Sequence, residues 1–376
     1  MVILSFVENK TFNLNIPTEI FFGYGCFDIG IKKARDFGTR ALVVIGKGSA
    51  KRLGYLQKLE DALAQLGIDC HVIEGIPENP DEQTVENAVN EAKEFNPDFF
   101  VGLGGGSVID ATKAINAVYS NGGSVKDFYS RPLSRILPMI AIPTTAGTGS
   151  EVTRYAVITD PEEKTKKIIA DYKICPTIAI VDPEFTLKLP KSVTIASGLD
   201  ALSHCIEGLL GYYSNPIIDA IALKGVEIIT KYLPVVCNNP DRESRLYMML
   251  GSLIGGISIN SVPTGLTHAM SYSLTSYFGI PHGIAVAMLL PHVMELMDYR
   301  EKLQLMERVM GGDAIDTIRK LNESLGVPSH VDGLNEELCE KFARQVEQNK
   351  SKLRNNIRIP TFEEIKSIYL KIAGGV

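Results

Sequence analysis

The sequence predicts an α/β domain followed by an all-helical domain. Apolar runs of strand length alternate with helical periodicity through roughly the first half of the chain, and no convincing alternating strands follow the DPEFTLKLP segment (Asp182–Pro190). At 376 residues the chain also exceeds the ~250–300 residues at which a single hydrophobic core stops growing, so two domains are expected. The boundary is placed near Leu187, with the α/β domain over residues 1–186 and the helical one over 187–376.

Taken in order, strands are expected at Ala41–Ile45, Cys70–Ile73, Phe99–Leu103, Met139–Pro143 and Ile178–Val181. The amphipathic stretches Leu53–Leu66 and Glu82–Phe95 fall between strands, which makes βαβ units and a mostly parallel sheet. Beyond Pro190 the long apolar-periodic segments Ile217–Leu233, Leu246–Ile259, Ala285–Met297 and Ala314–Leu325 read as helices. No internal repeat, low-complexity tract or long polar linker suggests a third module.

Composition narrows the function classes. Hydrophobic residues at 45% and charged residues at 22% exclude a disordered chain, a collagen and a disulfide scaffold. With 44 acidic against 38 basic side chains, a formal charge of −6 provides no basic field for a nucleic acid. Six cysteines without a CxxC pair read as free thiols in a reducing compartment, hence a cytoplasmic protein. The opening MVILSFVENKTFNLNI lacks the pattern of a secretory signal, and no apolar run of ~18 residues suits a membrane span.

Two glycine-rich turns are candidates for ligand contact. In PDFFVGLGGGSVIDATK (Pro97–Lys113) a strand, a glycine turn and a helix start follow one another. Gly104, Gly105 and Gly106 let backbone N–H groups approach an anion, and the helix beginning near Ser107 adds its positive end, so a pyrophosphate fits. Ser107 stands where the ordinary G-x-G-x-x-G fingerprint has its third glycine. Asp110 and Lys113 are expected to share the helix face turned toward the turn's ligand. The second turn, IPTTAGTGSEVT (Ile142–Thr153), offers hydroxyls suited to phosphate and ribose. Either turn could also serve backbone geometry alone. Gly46-Lys47-Gly48-Ser49 is not a Walker loop, but with Lys51 and Arg52 it forms a small cationic, hydroxyl-bearing cluster.

The histidines, at 71, 204, 268, 282, 292 and 330, are few enough to weigh singly. Asp200 and His204 stand four apart in GLDALSHCIE, on one helix face and within reach of one ion. His268 in GLTHAM and His282 in GIPHGIAVA lie on separate segments. One carboxylate and three imidazoles suit Fe²⁺, Zn²⁺, Mn²⁺ or Ni²⁺, although spacing alone does not unite them and each could be structural. His71, His292 and His330 are read as structural, and Cys205, about 100° around the helix from His204, as core.

These segments resemble the iron-containing (group III) alcohol dehydrogenases. GGGSVIDATKA, PTTAGTGSEVT, GLDALSHCIE, GLTHAM and IPHGIAVAMLLPHVM occur in the family's order, and the likeness runs from FFGYG near Phe21 to IRIPTFEEI near Arg358. The resemblance implies the dehydroquinate synthase-like fold of that family, with a dinucleotide-binding α/β domain, a helical domain, and NAD(P) and one divalent metal in a cleft between them. It implies Asp200, His204, His268 and His282 as metal ligands, and the pyrophosphate on Gly104, Gly105, Gly106 and Ser107. Thr144, Thr145, Thr148 and Asn79 are implied on the adenosine and ribose side, with Lys167 reaching the ribose. A homodimer is implied as well.

Two departures sharpen the expectation. Many members carry a second histidine four residues after the third ligand, credited with passing a proton to solvent. Here Tyr272 takes that place, and a phenol of pKa ~10 is a poor base. Members preferring NAD commonly have an aspartate where this chain has Gly46, which removes the repulsion of a 2′-phosphate; Ser49, Lys51 and Lys47 could then hold it. The expected activity is hydride transfer between NADP(H) and a small primary alcohol or aldehyde whose oxygen binds Fe²⁺ or Zn²⁺. Tyr272, Leu274 and Phe278 are expected as substrate walls. The neighbouring alternatives are a glycerol- or propanediol-type dehydrogenase and a maleylacetate reductase-like enzyme using NAD(H). A cyclising synthase of the dehydroquinate type would need more basic residues.

Overall fold

The computed structural model describes residues 11–162 and 165–374, which form two compact units. The first spans Ile16–Leu189; the second runs from Pro190 onward and takes in residues 11–15. The division therefore falls three residues past the expected boundary, and residues 11–15 go with the helical unit rather than with the α/β unit. Residues 1–10, the start of the segment weighed as a secretory signal, lie outside the described residues.

The first unit is built on strands β1 (Glu19–Phe22), β2 (Arg40–Gly46), β3 (Asp69–Ile76), β4 (Phe99–Gly104), β5 (Met139–Pro143), β6 (Tyr155–Asp160), β7 (Thr165–Ala170) and β8 (Ile178–Val181). Six form one sheet in the order β1-β8-β5-β4-β2-β3, every pairing parallel. Helices of ten residues or more are numbered α1 (Tyr55–Gln65), α2 (Glu82–Phe95) and α3 (Gly106–Asn121) in this unit. The expected strands lie inside the observed ones because strands covered on both faces read as continuous apolar runs. In β2, Leu42 and Val44 enter one apolar cluster, while Ala41, Val43 and Ile45 enter the cluster on the other face.

Strand order places the ligand site. From β2 the chain moves one way to β3 and then back past β2 to β4, so the sheet reverses direction between β2 and β4. At such a switch point the loops leaving the two strands diverge and open a crevice at their carboxyl ends. Gly46 ends β2 and Gly104 ends β4. Sequence analysis did not foresee β1 or the antiparallel hairpin β6–β7. β1 is four residues long, and β7 (TKKIIA) carries two adjacent lysines after its first residue, so neither shows a clear strand period.

The second unit is helical: α4 (Lys191–Leu210), α5 (Pro216–Asn238), α6 (Arg242–Ser261), α7 (Leu266–Phe278), α8 (His282–Met297), α9 (Arg300–Met310), α10 (Ala314–Ser324), α11 (Glu336–Gln348) and α12 (Phe362–Lys371). Side-chain caps start several of them. Asn215 accepts from Ile217 and Ile218 N–H, and Asp241 and Thr361 form capping boxes. α4 packs against α5, α6 and α8. Among the described residues no single helix is long and apolar enough to cross a membrane.

Glycine allows α8 to begin against α4. A Cβ on Gly283 would lie 1.8 Å from the Ala196 carbonyl oxygen and 3.2 Å from Asp200 Cβ. A backbone carbonyl cannot rotate aside, so Gly283→Ala is expected to cost about 3 kcal/mol, at the upper end of overpacking penalties. At roughly 2–4 °C per kcal/mol, thermal denaturation of the helical unit should move down by roughly 6–12 °C.

Candidate metal and dinucleotide sites

Helix α4 carries Asp200, His204 and Glu207, all buried, at spacings that keep them on one face. α7 brings His268 in its first turn and α8 begins with His282. The Oδ1 atom of Asp200 lies 3.6 Å from His204 Nε2, 3.5 Å from His268 Nε2 and 3.7 Å from His282 Nε2. The Nε2 atoms of His204 and His268 are 3.0 Å apart. A tetrahedral ion with ligands at ~2.1 Å separates its donor atoms by about 3.4 Å. The donors of Asp200, His204 and His268 thus stand about as far apart as the ligands of one such ion, and His282 Nε2 approaches Asp200 Oδ1 at a similar distance. Among the described residues, Asp200, His204 and His268 also form a buried group able to hold a metal.

The chemistry of the cluster points the same way. Asp200 Oδ1 is buried and accepts no hydrogen bond, which costs ~1–3 kcal/mol unless a cation is shared there. Burial alone would raise the Asp200 carboxyl, but His204, His268 and His282 hold it well below the ordinary carboxylate range. Burial also opposes a charged His268, yet Glu207 and Asp200 push it up to about 9. A cation taking His268 Nε2 must therefore displace a proton at neutral pH. One carboxylate and three imidazoles are borderline donors suited to a divalent transition metal. The residues present fit the metal that the resemblance implies.

Outer contacts aim these ligands. Glu207 Oε1 accepts from the Gly265 and Thr267 N–H groups at 3.1 Å each, and Oε2 is hydrogen-bonded to His268 Nδ1. That leaves His268 Nε2 for the centre. Ser271 donates to the His268 carbonyl at 2.9 Å and lies 3.4 Å from His282 Nδ1. His282 is one-third exposed while the other three ligands are buried, so the centre opens on its side. Tyr272 stacks on His282, with centroids 5.8 Å apart and planes 20° apart. Glu207 was legible within GLDALSHCIE, three residues past His204, but nothing local tells that it meets His268.

In the α/β unit the two glycine turns interlock. Only Gly105 separates β4 from α3. A Cβ on Gly106 would lie 2.4 Å from Thr148 Cγ2, and one on Gly105 3.2 Å from Thr145 Cγ2. Thr144 N–H donates to the Gly104 carbonyl at 2.9 Å. Ser107 Oγ accepts from Asn79 N–H at 3.3 Å, which brings the Asn79 loop to the start of α3. These contacts gather the expected residues Asn79, Gly104–Ser107, Thr144, Thr145 and Thr148 around one helix N-terminus of sixteen residues, where an anion is stabilised.

Several expectations change. Asp110 and Lys113 do not both turn toward a ligand. Lys113 is fully buried and donates to Ser150 Oγ, the Thr153 and Tyr155 carbonyls and Thr153 Oγ1. Asp110 accepts from Ser150 Oγ and from Val157 N–H, so both its oxygens hold the second turn and the hairpin in place. Lys166, rather than Lys167, reaches the Asn79 loop, with Nζ 2.7 Å from Asn79 Oδ1 and 3.1 Å from Thr159 Oγ1. Neighbours on a strand point to opposite faces, and Lys167 lies instead 4.0 Å from Asp160. Burial draws Lys166 down to about 8, with Asp110 opposing. Lys51 and Ser49 lie past β2 as expected, but Lys51 is ion-paired with Glu74.

Leu274 is fully buried and Phe278 packs edge-on to Phe342. The six cysteines are free. Cys205 Sγ faces the Gly251 carbonyl on α6, with burial pushing its thiol up. His71, His292 and His330 stand by Glu91, Glu295 and Asp332, on other parts of the chain.

Comparison with known proteins identifies the family. Residues 17–183 match the model of the iron-containing alcohol dehydrogenases, and residues 194–373 match the C-terminal domain of the Fe-containing alcohol dehydrogenase family. The chain therefore belongs to the iron-containing alcohol dehydrogenase family, and it is an oxidoreductase of the alcohol dehydrogenase class. It is 33% identical to alcohol dehydrogenase 4 of Schizosaccharomyces pombe, over 94% of this chain and 87% of that protein. It is 31% identical to the NAD-dependent methanol dehydrogenase of Bacillus methanolicus, over 95% of this chain and 98% of that one. An iron-containing alcohol dehydrogenase from Thermotoga maritima superposes with a TM-score of 0.91 at 36% identity, covering 97% of this chain and all of that one.

Which of the two lysines meets the cofactor can be measured. Lys166→Ala is expected to weaken NADPH binding by roughly tenfold, the loss of one charge-assisted hydrogen bond, while Lys167→Ala changes it less than about twofold. Fluorescence titration of the two variants reads the difference directly, and the reverse ranking would assign the role to Lys167.

Proposed function

We propose that this chain transfers a hydride reversibly between NADP(H) and a small primary alcohol or aldehyde at a divalent-metal centre. Fe²⁺ is the proposed ion, with Zn²⁺, Ni²⁺ and Mn²⁺ as alternatives. The observation that carries the reading is the convergence of three imidazole nitrogens, on His204, His268 and His282, at 3.5–3.7 Å from one buried carboxylate oxygen of Asp200 that accepts no hydrogen bond. A divalent cation in that position supplies Lewis acidity, which lowers the pKa of an alcohol and polarises a carbonyl. The protein's share is placement. Glu207 and Ser271 orient two of the imidazoles, and the partly exposed His282 leaves the approach for a small oxygen-bearing substrate. Tyr272 stands on that side in the family's relay position and can hand a proton on through its hydroxyl.

The cofactor preference rests on Gly46. Its φ is not positive, and a Cβ there would meet Val108 Cγ2 at 3.4 Å and the Ile76 carbonyl at 3.6 Å, both ordinary contacts. Neither backbone conformation nor packing demands glycine, so the missing side chain is read as room for a 2′-phosphate, with Ser49, Lys51 and Lys47 as its partners. Pyrophosphate is assigned to the N–H groups of Gly104–Ser107 at the start of α3. The Lys51–Glu74 pair favours a second reading, an NAD(H)-linked polyol dehydrogenase, because it occupies one of the cations a 2′-phosphate needs. A cytoplasmic protein without nucleic-acid or membrane partners completes the proposal, supported by the free cysteines and the charge of −6, and a homodimer is inferred from the family likeness alone.

Two measurements test this. Assayed with C2–C6 aldehydes, kcat/KM with NADPH should exceed that with NADH, and a tenfold advantage for NADH would overturn the preference. His268→Ala and His282→Ala should each lose both bound metal, by elemental analysis, and turnover. Full turnover with an empty centre would show the metal reading to be wrong.

A further inference from the structure

One charged group close to the metal ligands has no part in the reading above. Lys352, half-buried on the short helix Lys350–Leu353, is hydrogen-bonded to Thr264 Oγ1, the residue before Gly265, whose N–H is held by Glu207. Its ammonium interacts electrostatically with Glu207, and burial draws it down only to about 8, so it is charged at neutral pH. The same Nζ lies 5.9 Å from the centroid of the Tyr272 ring. Glu207 is hydrogen-bonded to His268 and Tyr272 stacks on His282. One cation therefore stands behind two of the four ligands, reaching each through a different neighbour.

We propose that Lys352 is a positioning residue of the metal centre, acting through Glu207 on His268 and through Tyr272 on His282, and that its charge loosens the hold on a divalent cation. The reasoning rests on the metal reading of Asp200, His204, His268 and His282. A carboxylate hydrogen-bonded to a ligating imidazole raises the electron density on the metal-facing nitrogen. A lysine beside that carboxylate draws the density back, and its own positive charge repels the ion across a poorly screened interior. Both effects have the same sign. Affinity is reduced, and the ion that is held keeps more of its electrophilic character.

The sign separates this role from a structural one. Removing a merely structural lysine disturbs the ligands and weakens binding, whereas removing a repelling charge strengthens it. The test is Co²⁺ binding to the metal-stripped full-length chain, read from cobalt d–d absorption in competition with a chelator. Lys352→Met should bind Co²⁺ more tightly, by roughly threefold to tenfold. Lys352→Arg, which keeps the charge, should match the parent, and Glu207→Gln should bind about 10–100-fold more weakly. Should Lys352→Met not give a folded protein by circular dichroism, Lys352→Gln, which can still donate to Thr264, is read in its place with the same expectation. Unchanged or weaker Co²⁺ binding on loss of the charge overturns the proposal. Absence of Co²⁺ binding by the parent chain would instead overturn the metal reading on which it rests.

Discussion

A buried carboxylate oxygen without a hydrogen bond is the constraint around which the helical unit is arranged. Asp200 sits on α4, whose own backbone satisfies itself and leaves the side chain to find partners elsewhere. Three imidazoles answer it, one from the same helix and two from α7 and α8. Bringing α8 that close requires Gly283, since any larger residue would strike the carbonyl of Ala196. Fixing the tautomer of His268 requires Glu207, and Glu207 in turn caps the first turn of α7 through the N–H groups of Gly265 and Thr267. Helix packing and ligand geometry are thus one arrangement. Desolvation of Asp200 is tolerated because opposite charge converges on it, the condition under which a buried charge persists.

The α/β unit has a comparable fixed point in Lys113. Its ammonium reaches the second glycine turn and the hairpin, where four oxygens take it up, and Asp110 one turn away is the only acid within ion-pair distance of it among the described residues. Burying an ammonium costs several kcal/mol unless it is fully bonded, so the loop carrying Thr144–Thr148 is held to α3 by a group it cannot release cheaply. The glycines then let the turns close on each other. A site for a pyrophosphate needs N–H groups that do not move when the ligand arrives, and this clamp supplies that rigidity.

The sequence carried much of this. β2, β4, β5 and β8 were legible because strands covered on both faces are continuously apolar, and the long helices because amphipathic periodicity persists over many turns. β1 and β7 were not. Both are only partly buried and lack a clear apolar run or alternation. Among site residues, Asp200 and His204 were readable as a pair because helix spacing is fixed, whereas His268 and His282 were joined to them only through family likeness. That Lys166, and not Lys167, faces Asn79 was unreadable for the same reason. Two adjacent lysines on an unrecognised strand cannot be assigned to faces until the hairpin register pairs Lys166 with Thr159 and Lys167 with Ile158.

By itself, then, the sequence determined the alternation of strand and helix, the change to an all-helical second half, the glycine turns and the ligand types. These follow from local chemistry: apolar period, backbone freedom and side-chain donors a few residues apart. Only tertiary structure decided which face Lys113 and Asp110 serve, that Lys166 meets Asn79, and that Glu207 stands behind His268. Each of those contacts joins residues from 37 to 87 positions apart, as Lys113 with Ser150, Glu207 with His268 and Lys166 with Asn79 do at 37, 61 and 87 positions. Proximity at such separations is set by packing, and packing is a property of the whole fold.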